Sequence, residues 1–215
     1  MQEDRINFSV HFSMRIAIGA DSVPQVRHIL TSHPGFSPQD CPSGGTSPLH
    51  FACSSGALKV VRFFLEETGC DVNCSSCLFD MCLVHVAAQN GQLEVLKYLH
   101  DVGADFHRLD SSGESVLHKA ALKGDLSVLE YLVDGCSLEA LLLQANHDRL
   151  SPFDYFLDLC AKQGHPKQLT EDRGYEAALA KVREFLGCRT EALQLWARRR
   201  HLLAAGYFLR RLRLV

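Results

Sequence analysis

Apolar and polar positions along this chain follow a pattern that returns about every 33–36 residues. Short apolar runs, "SPLHFACSSG" (47–56), "CLVHVAAQNG" (82–91) and "SVLHKAALKG" (115–124), are each followed by a longer one: "LKVVRFFL", "LEVLKYLH" and "LSVLEYLV". In the longer runs apolar residues recur with helical spacing, as at Leu93, Leu96 and Leu99, which predicts an amphipathic second helix in each unit. A Ser or Thr ahead of the short run can N-cap a first helix, and Pro48 and Pro152 suit a first helical turn. Gly56, Gly91 and Gly124 end the first helix; Gly69, Gly103 and Gly135 close the second. Small residues (Ala52 and Cys53, Ala87 and Ala88, Ala120 and Ala121) stand on the first helix where a neighbouring helix must come close.

His50, His85 and His118 mark the register, at spacings of 35 and 33 residues, and "RLSPFDYFLDLC" places Asp154 in the same slot 36 residues on. A fixed period of this size is the mark of a stacked repeat. "SPLHFA", "LVHVAA", "SVLHKA" and "GADF" resemble the T-P-L-H-x-A and G-A-D-V-N signatures of the ankyrin repeat family, clearly over 45–138 and more loosely over 146–187. In the looser unit a polar insertion, "KQGHPKQLTEDRG", delays the second helix. Upstream, "RIAIGADSVPQVRHILTSHPGF" keeps the helix–Gly–helix rhythm without the signature. The resemblance implies an all-α helical solenoid of antiparallel helix pairs with short hairpin fingers along one edge. About five units are expected, near 12–43, 44–76, 77–109, 110–145 and 146–187, with 188–215 a basic amphipathic helical extension. End units should be atypical, because their outer faces meet solvent. The family's pattern is departed from at Cys82 and Leu83 and at Ser115 and Val116, where Thr and Pro are usual.

Composition fits this reading. Of 215 residues 47% are apolar and 22% charged, ordinary for a globular chain. The start carries acids where a secretory signal wants basic residues, and no run approaches the ~20 apolar residues of a membrane span. Nine cysteines, an odd number at irregular spacing, suit a reducing intracellular compartment, cytoplasmic or nuclear, better than a disulfide scaffold. Net charge is −3 overall, but seven arginines against Glu191 make 188–215 strongly basic. Such asymmetry suggests a segment with its own contact.

Chemistry is sparse. There is no Gly-rich phosphate loop, no G-x-S-x-G and no H-E-x-x-H, so the chain reads as non-enzymatic, with no cofactor and no small-molecule substrate. The three histidines stand a repeat apart, too far to share one ion at about 2 Å; the resemblance implies that each bonds backbone within its own unit and to the next. "GCDVNCSSCLFDMC" (69–82) holds four cysteines. Cys70 and Cys82 fall on framework positions, leaving Cys74 and Cys77 as a CxxC pair whose readings are a zinc ligand pair, a regulatory disulfide or plain thiols. Leu65, Asp71, Val72 and Asn73 form the L-x5-D-V-N pattern that resembles ankyrin substrates of the oxygen-dependent asparaginyl hydroxylase, so Asn73 is a candidate for hydroxylation as well as a simple turn residue.

Partners of this family usually contact the fingertips and the inner helices. Here those positions include Leu78, Phe79, Met81, Gln89 and Asn90, then Glu114, Leu122 and Lys123, and His147, Asp148 and Leu150 beyond. Leu78, Phe79 and Met81 are apolar where a solvated finger would be polar; either they fold back on the finger before them or they mark a contact with a protein. The second candidate surface is "TEALQLWARRRHLLAAGYFLRRLRLV". Trp196, Tyr207 and Phe208 can share one side of a helix there, flanked by Arg198, Arg199, Arg200, Arg210, Arg211 and Arg213. It can cap the last unit, insert into a protein, or lie on an anionic membrane or nucleic acid. The leading reading is a protein-binding adaptor, scaffold or complex subunit, with one or more unidentified proteins as partners. The alternative is a tether through the basic segment.

Overall fold

The computed structural model describes residues 2–41, 45–77, 79–152, 154 and 155. Leu78, the extension 188–215 with Trp196, Arg198, Arg199, Arg200, Tyr207, Phe208, Arg210, Arg211 and Arg213, and the delayed second helix of the last unit lie outside the described residues.

The predicted helix-turn-helix rhythm appears as four consecutive pairs. α1 (Gln2–Gly19) pairs with α2 (Val23–Ser32), α3 (Pro48–Ser55) with α4 (Leu58–Glu67), α5 (Leu83–Gln89) with α6 (Leu93–Asp101), and α7 (Val116–Lys123) with α8 (Leu126–Glu130). α8 runs on into a π-helical turn, Tyr131–Gly135, and a 3-10 turn follows at Glu139–Leu143. α1, α3, α5 and α7 pack on one another in order as an inner row, while α2, α4 and α6 form an outer row. Among the described residues strand structure is limited to one isolated bridge, Ser75 to Cys82. The fold is an all-α helical repeat solenoid. α1 starts well ahead of residue 12, where the repeat rhythm begins in the sequence.

Local chemistry starts and stops these helices. Ser47 caps α3, its Oγ accepting from the His50 amide at 3.3 Å, and Pro48 fills the first turn. α4 follows Ala57, which has no capping side chain; instead Asp21, in the turn of the preceding pair, reaches across so that its Oδ1 accepts from Val60 N at 3.1 Å. Gly56 ends α3 at φ 75°. A Cβ there would stand 2.3 Å from Gln92 Oε1, whose own amide Nε2 donates to Ser54 O at 3.0 Å. The bare backbone thus lets one pair lay a side chain over the end of its neighbour.

The inner helices carry the small residues that close stacking needs. Ala52, Ala87 and Ala120 are fully buried, beside Leu49, Leu83 and Leu117. Val60, Val61 and Phe64 of α4 and Val95, Leu96 and Leu99 of α6 fill the space between the rows. Each such Leu or Phe contributes about 1.5–3 kcal/mol through burial.

The three register histidines hold each finger to its helix pair. His85 Nδ1 accepts from Cys82 N at 3.1 Å, and His118 Nδ1 from Ser115 N at 3.0 Å. A ring nitrogen that accepts leaves the other as the donor, so Nε2 of His85 donates to Arg108 O and Nε2 of His118 to Leu150 O, each at 3.0 Å. His50 Nε2 likewise donates to Met81 O at 3.1 Å, while the Ser47 hydroxyl donates to its Nδ1 at 2.7 Å. Each neutral imidazole therefore ties the start of an inner helix to the finger that follows. Burial lowers all three pKa values, His85 to about 4.

Candidate functional site: the finger edge

The first finger turns between the bridged residues Ser75 and Cys82. Ser76 N donates to Met81 O at 2.8 Å, and Met81 N donates to Ser76 Oγ at 3.2 Å. The turn is closed by two consecutive residues at positive φ, Phe79 at 63° and Asp80 at 50°. Tight turns of this kind favour Asn and Gly; a bulky aromatic there is an outlier. The Phe79 side chain gains little packing in return, since 62% of the residue is exposed.

Adjacent fingers are stitched through their main chains. Ser111 N donates to Phe79 O at 2.9 Å, and His147 N donates to Ser112 O at 3.0 Å. Within the second finger, Asp110 Oδ1 accepts from the amides of Ser112 and Glu114, both at 2.9 Å. Its other carboxylate oxygen meets Lys119 Nζ at 2.6 Å, and the same ammonium lies 2.5 Å from Glu114 Oε2. Burial alone would push the Asp110 carboxyl up, but Lys119 and the two amides outweigh it and hold it below the ordinary value. The two carboxylates in turn hold Lys119 above its usual range against burial. This triad anchors the second finger on α7.

The residues singled out from sequence separate by position. Phe79 is open at the tip, and Leu122 and Lys123 are exposed at the end of α7. Asn90 is exposed at the end of α5, its Nδ2 donating to Val86 O at 2.8 Å; Gln89 is half-buried. The Lys123 stem lies over Gly91, next to Asn90, with Cε 3.6 Å from where a Cβ would be. Met81 is half-buried and its main chain serves the finger and His50. Glu114 is drawn inward to Lys119 and also accepts from Asn146 Nδ2 at 3.3 Å. It frames the finger rather than standing free on it. Asn73 Oδ1 accepts from Asp105 N at 2.8 Å, and its carbonyl accepts from Arg108 at 2.6 Å. Asn73 thus braces the first finger against the second.

Other exposed apolar residues carried no mark in the sequence. Leu109 in the second finger joins Leu150 in the third as an exposed leucine. On α1, Phe12 and Ile16 are exposed, beside a groove of about 540 Å³ lined by Ser13, Ile16, Ala17, Pro24, Gln25, His28 and Ile29. An apolar residue inside an otherwise polar finger was the available signal for Leu109; α1 lies before the recognisable units and offered no register from which to judge exposure.

The cysteines do not gather as the CxxC spacing suggests. Cys77 is exposed and its amide donates to Cys41 Sγ at 3.3 Å. Cys74 is half-buried, raised to about 12 by burial first and then by the nearby Asp71, Cys70, Cys82 and Cys41. Cys70 is half-buried beside the Thr68 hydroxyl at 3.2 Å. Among the described residues no three His, Cys, Asp or Glu side chains are placed to hold a metal ion.

A family model described as ankyrin repeats (3 copies) matches residues 49–142 and 84–171. Together these matches span more than half of the chain; they cover the helix pairs from α3–α4 onward with their histidine ties and fingers, and leave α1 and α2 outside. The chain belongs to the ankyrin repeat family. Ankyrin repeats are in general protein–protein interaction modules. Among the described residues no helix is long and apolar enough to cross a membrane.

Proposed function

We propose that this ankyrin repeat chain is a non-enzymatic adaptor or complex subunit that binds protein through its finger edge and the exposed ends of its inner helices. The observation that carries the reading is Phe79. A bulky side chain at positive φ costs about 1–3 kcal/mol in strain, and an aromatic that is 62% exposed returns only about 0.5–1 kcal/mol through packing. Strain that folding does not repay with a net gain is what an interaction site leaves behind, and aromatic anchors carry much of the energy of protein interfaces. Leu122, Lys123 and Asn90 extend the surface on the inner helices, with Leu109 and Leu150 on the following fingers. Gln89 and Met81 lie at its margin, and Glu114 acts through the finger it anchors. Leu78 belongs to the same contact by its place in the chain.

The basic segment 188–215 supports a second contact of tether type, because arginines outnumber acids there seven to one. Deleting 189–215 should then remove the salt-dependent part of binding and leave the finger contact intact. The compartment that fits this reading is the cytoplasm or nucleus, where thiols stay reduced. The test of the finger contact is capture of partners by the full chain and by Phe79→Ala and Met81→Ser. The reading expects selective loss of one or more proteins with Phe79→Ala; equal capture by both variants and wild type would remove it.

A further inference from the structure

Cys41, Cys53, Cys70, Cys74, Cys77, Cys82 and Cys136 all carry free thiols. Cys41 and Cys77 meet beside the first finger, where the Cys77 amide approaches the Cys41 sulfur. The two come from different chain segments. Cys41 is half-buried in the segment between α2 and α3, and Cys77 is exposed in the turn, two residues before Phe79.

Their geometry is that of a pair poised for bonding. The Cys77 amide donates to Cys41 Sγ at 3.3 Å. A sulfur against its partner's amide brings the two main chains to roughly the 7 Å Cα separation within which a disulfide can close. The other cysteines are worse placed. Cys53 and Cys82 are buried, out of reach of a peroxide in solvent, and Cys74 is half-buried where Cys77 is exposed.

We propose that Cys41 and Cys77 form a reversible disulfide when the protein meets a peroxide, cross-linking the loop before α3 to the first finger. The peroxide O–O bond breaks as one sulfur takes an oxygen to become a sulfenic acid, releasing an alcohol or water. The second thiol attacks that sulfur, the S–O bond breaks, and water leaves. Two thiols lose two electrons and two protons, and the peroxide is reduced by two electrons. A dithiol reductant reverses the step by thiol–disulfide exchange. The link spans 36 residues and closes beside the turn that presents Phe79. Its effect on partner binding rests on the finger-edge reading above; the bond itself does not.

The test uses the full chain, reduced and then treated with hydrogen peroxide at one to a few equivalents. Unreduced tryptic peptides are read by tandem mass spectrometry, Lys59 and Arg62 separating the two cysteines. The expected product is one intramolecular link between Cys41 and Cys77, lighter by two hydrogens and reversed by dithiothreitol. It is lost in Cys41→Ser and in Cys77→Ser and kept in Cys74→Ser, with circular dichroism checking that each variant is folded. A Cys74–Cys77 bond, a link that survives Cys41→Ser, covalent dimers on a non-reducing gel, or oxidation that stops at sulfinic acid on single thiols would each overturn it. If the link forms but partner capture is the same before and after oxidation, the disulfide stands and its effect on binding falls.

Discussion

Replacing Phe79 by glycine separates a binding role from a folding role. The residue sits at φ 63° with 62% of its surface exposed. An L-residue in the left-handed region costs about 1–2 kcal/mol that glycine avoids. Against this stand glycine's extra freedom in the unfolded chain, about 0.5–1 kcal/mol, and the burial that is lost. A fully buried Phe contributes about 1.5–3 kcal/mol, and roughly a third of this one is covered, so that term is about 0.5–1 kcal/mol. The hydrogen bond from Ser111 N ends on the Phe79 carbonyl and survives the change. The terms nearly cancel, and Phe79→Gly should alter stability by less than about 1 kcal/mol. Urea unfolding followed by circular dichroism measures this, with Phe64→Ala as the comparison. Phe64 is fully buried, and truncating such a side chain costs about 3–5 kcal/mol. If Phe79→Gly cost as much as Phe64→Ala, Phe79 would be a core residue in effect, and the inference from strain to binding would fail. If the inference holds, partner affinity falls where stability does not, by about 2 kcal/mol or more for a central anchor.

Acid should weaken the fold well above the carboxylate range. His50, His85 and His118 have folded pKa values depressed by burial, so the unfolded chain takes up protons that the native chain refuses as pH falls below about 6.5. For His85 the stability present above that pH is lost on the way down to about 4, a loss of about 3 kcal/mol; His50 and His118 act in the same direction. Urea midpoints at pH 7.5, 6 and 5 check it, and a midpoint that does not move would contradict the neutral-histidine ties. Lys119→Met leaves two carboxylates beside each other without their cation and should cost about 3–5 kcal/mol, read as a lower thermal midpoint. Asp21→Ala removes the cap that one helix pair supplies to the next, at about 1 kcal/mol, measurable in the same unfolding assay. Gly56→Ala forces a Cβ to φ 75° and against Gln92 Oε1; it should destabilise by at least the ~1–2 kcal/mol of left-handed strain, and a second change, Gln92→Ala, should recover only the steric part.

The helix pairs were legible because each is written in local chemistry. Ser47-Pro48 starts a helix, Gly56 ends one, and the spacing of Leu93, Leu96 and Leu99 gives the buried face. The histidine ties were implied by resemblance, and the structure supplies their partners: Met81, Arg108 and Leu150, three carbonyls with no sequence signal of their own. What stayed hidden was contact between fingers. Nothing near Cys77 in sequence points to Cys41, and the CxxC spacing pointed instead to Cys74. Glu114 looked like a free fingertip acid because Lys119, five residues on, stands where an inner helix is normally apolar. The strain at Phe79 was equally unreadable: an aromatic in a finger is visible as a letter, its backbone angle is not.

The most direct test of the finger edge as the binding surface is photo-crosslinking in cells. A photoreactive amino acid is placed at position 79, and in a second variant at Glu94 on the exposed side of α6. The account predicts discrete protein adducts from position 79, lost when the cross-linker is moved to 94. Adducts of equal pattern from both positions, or from 94 alone, would contradict it.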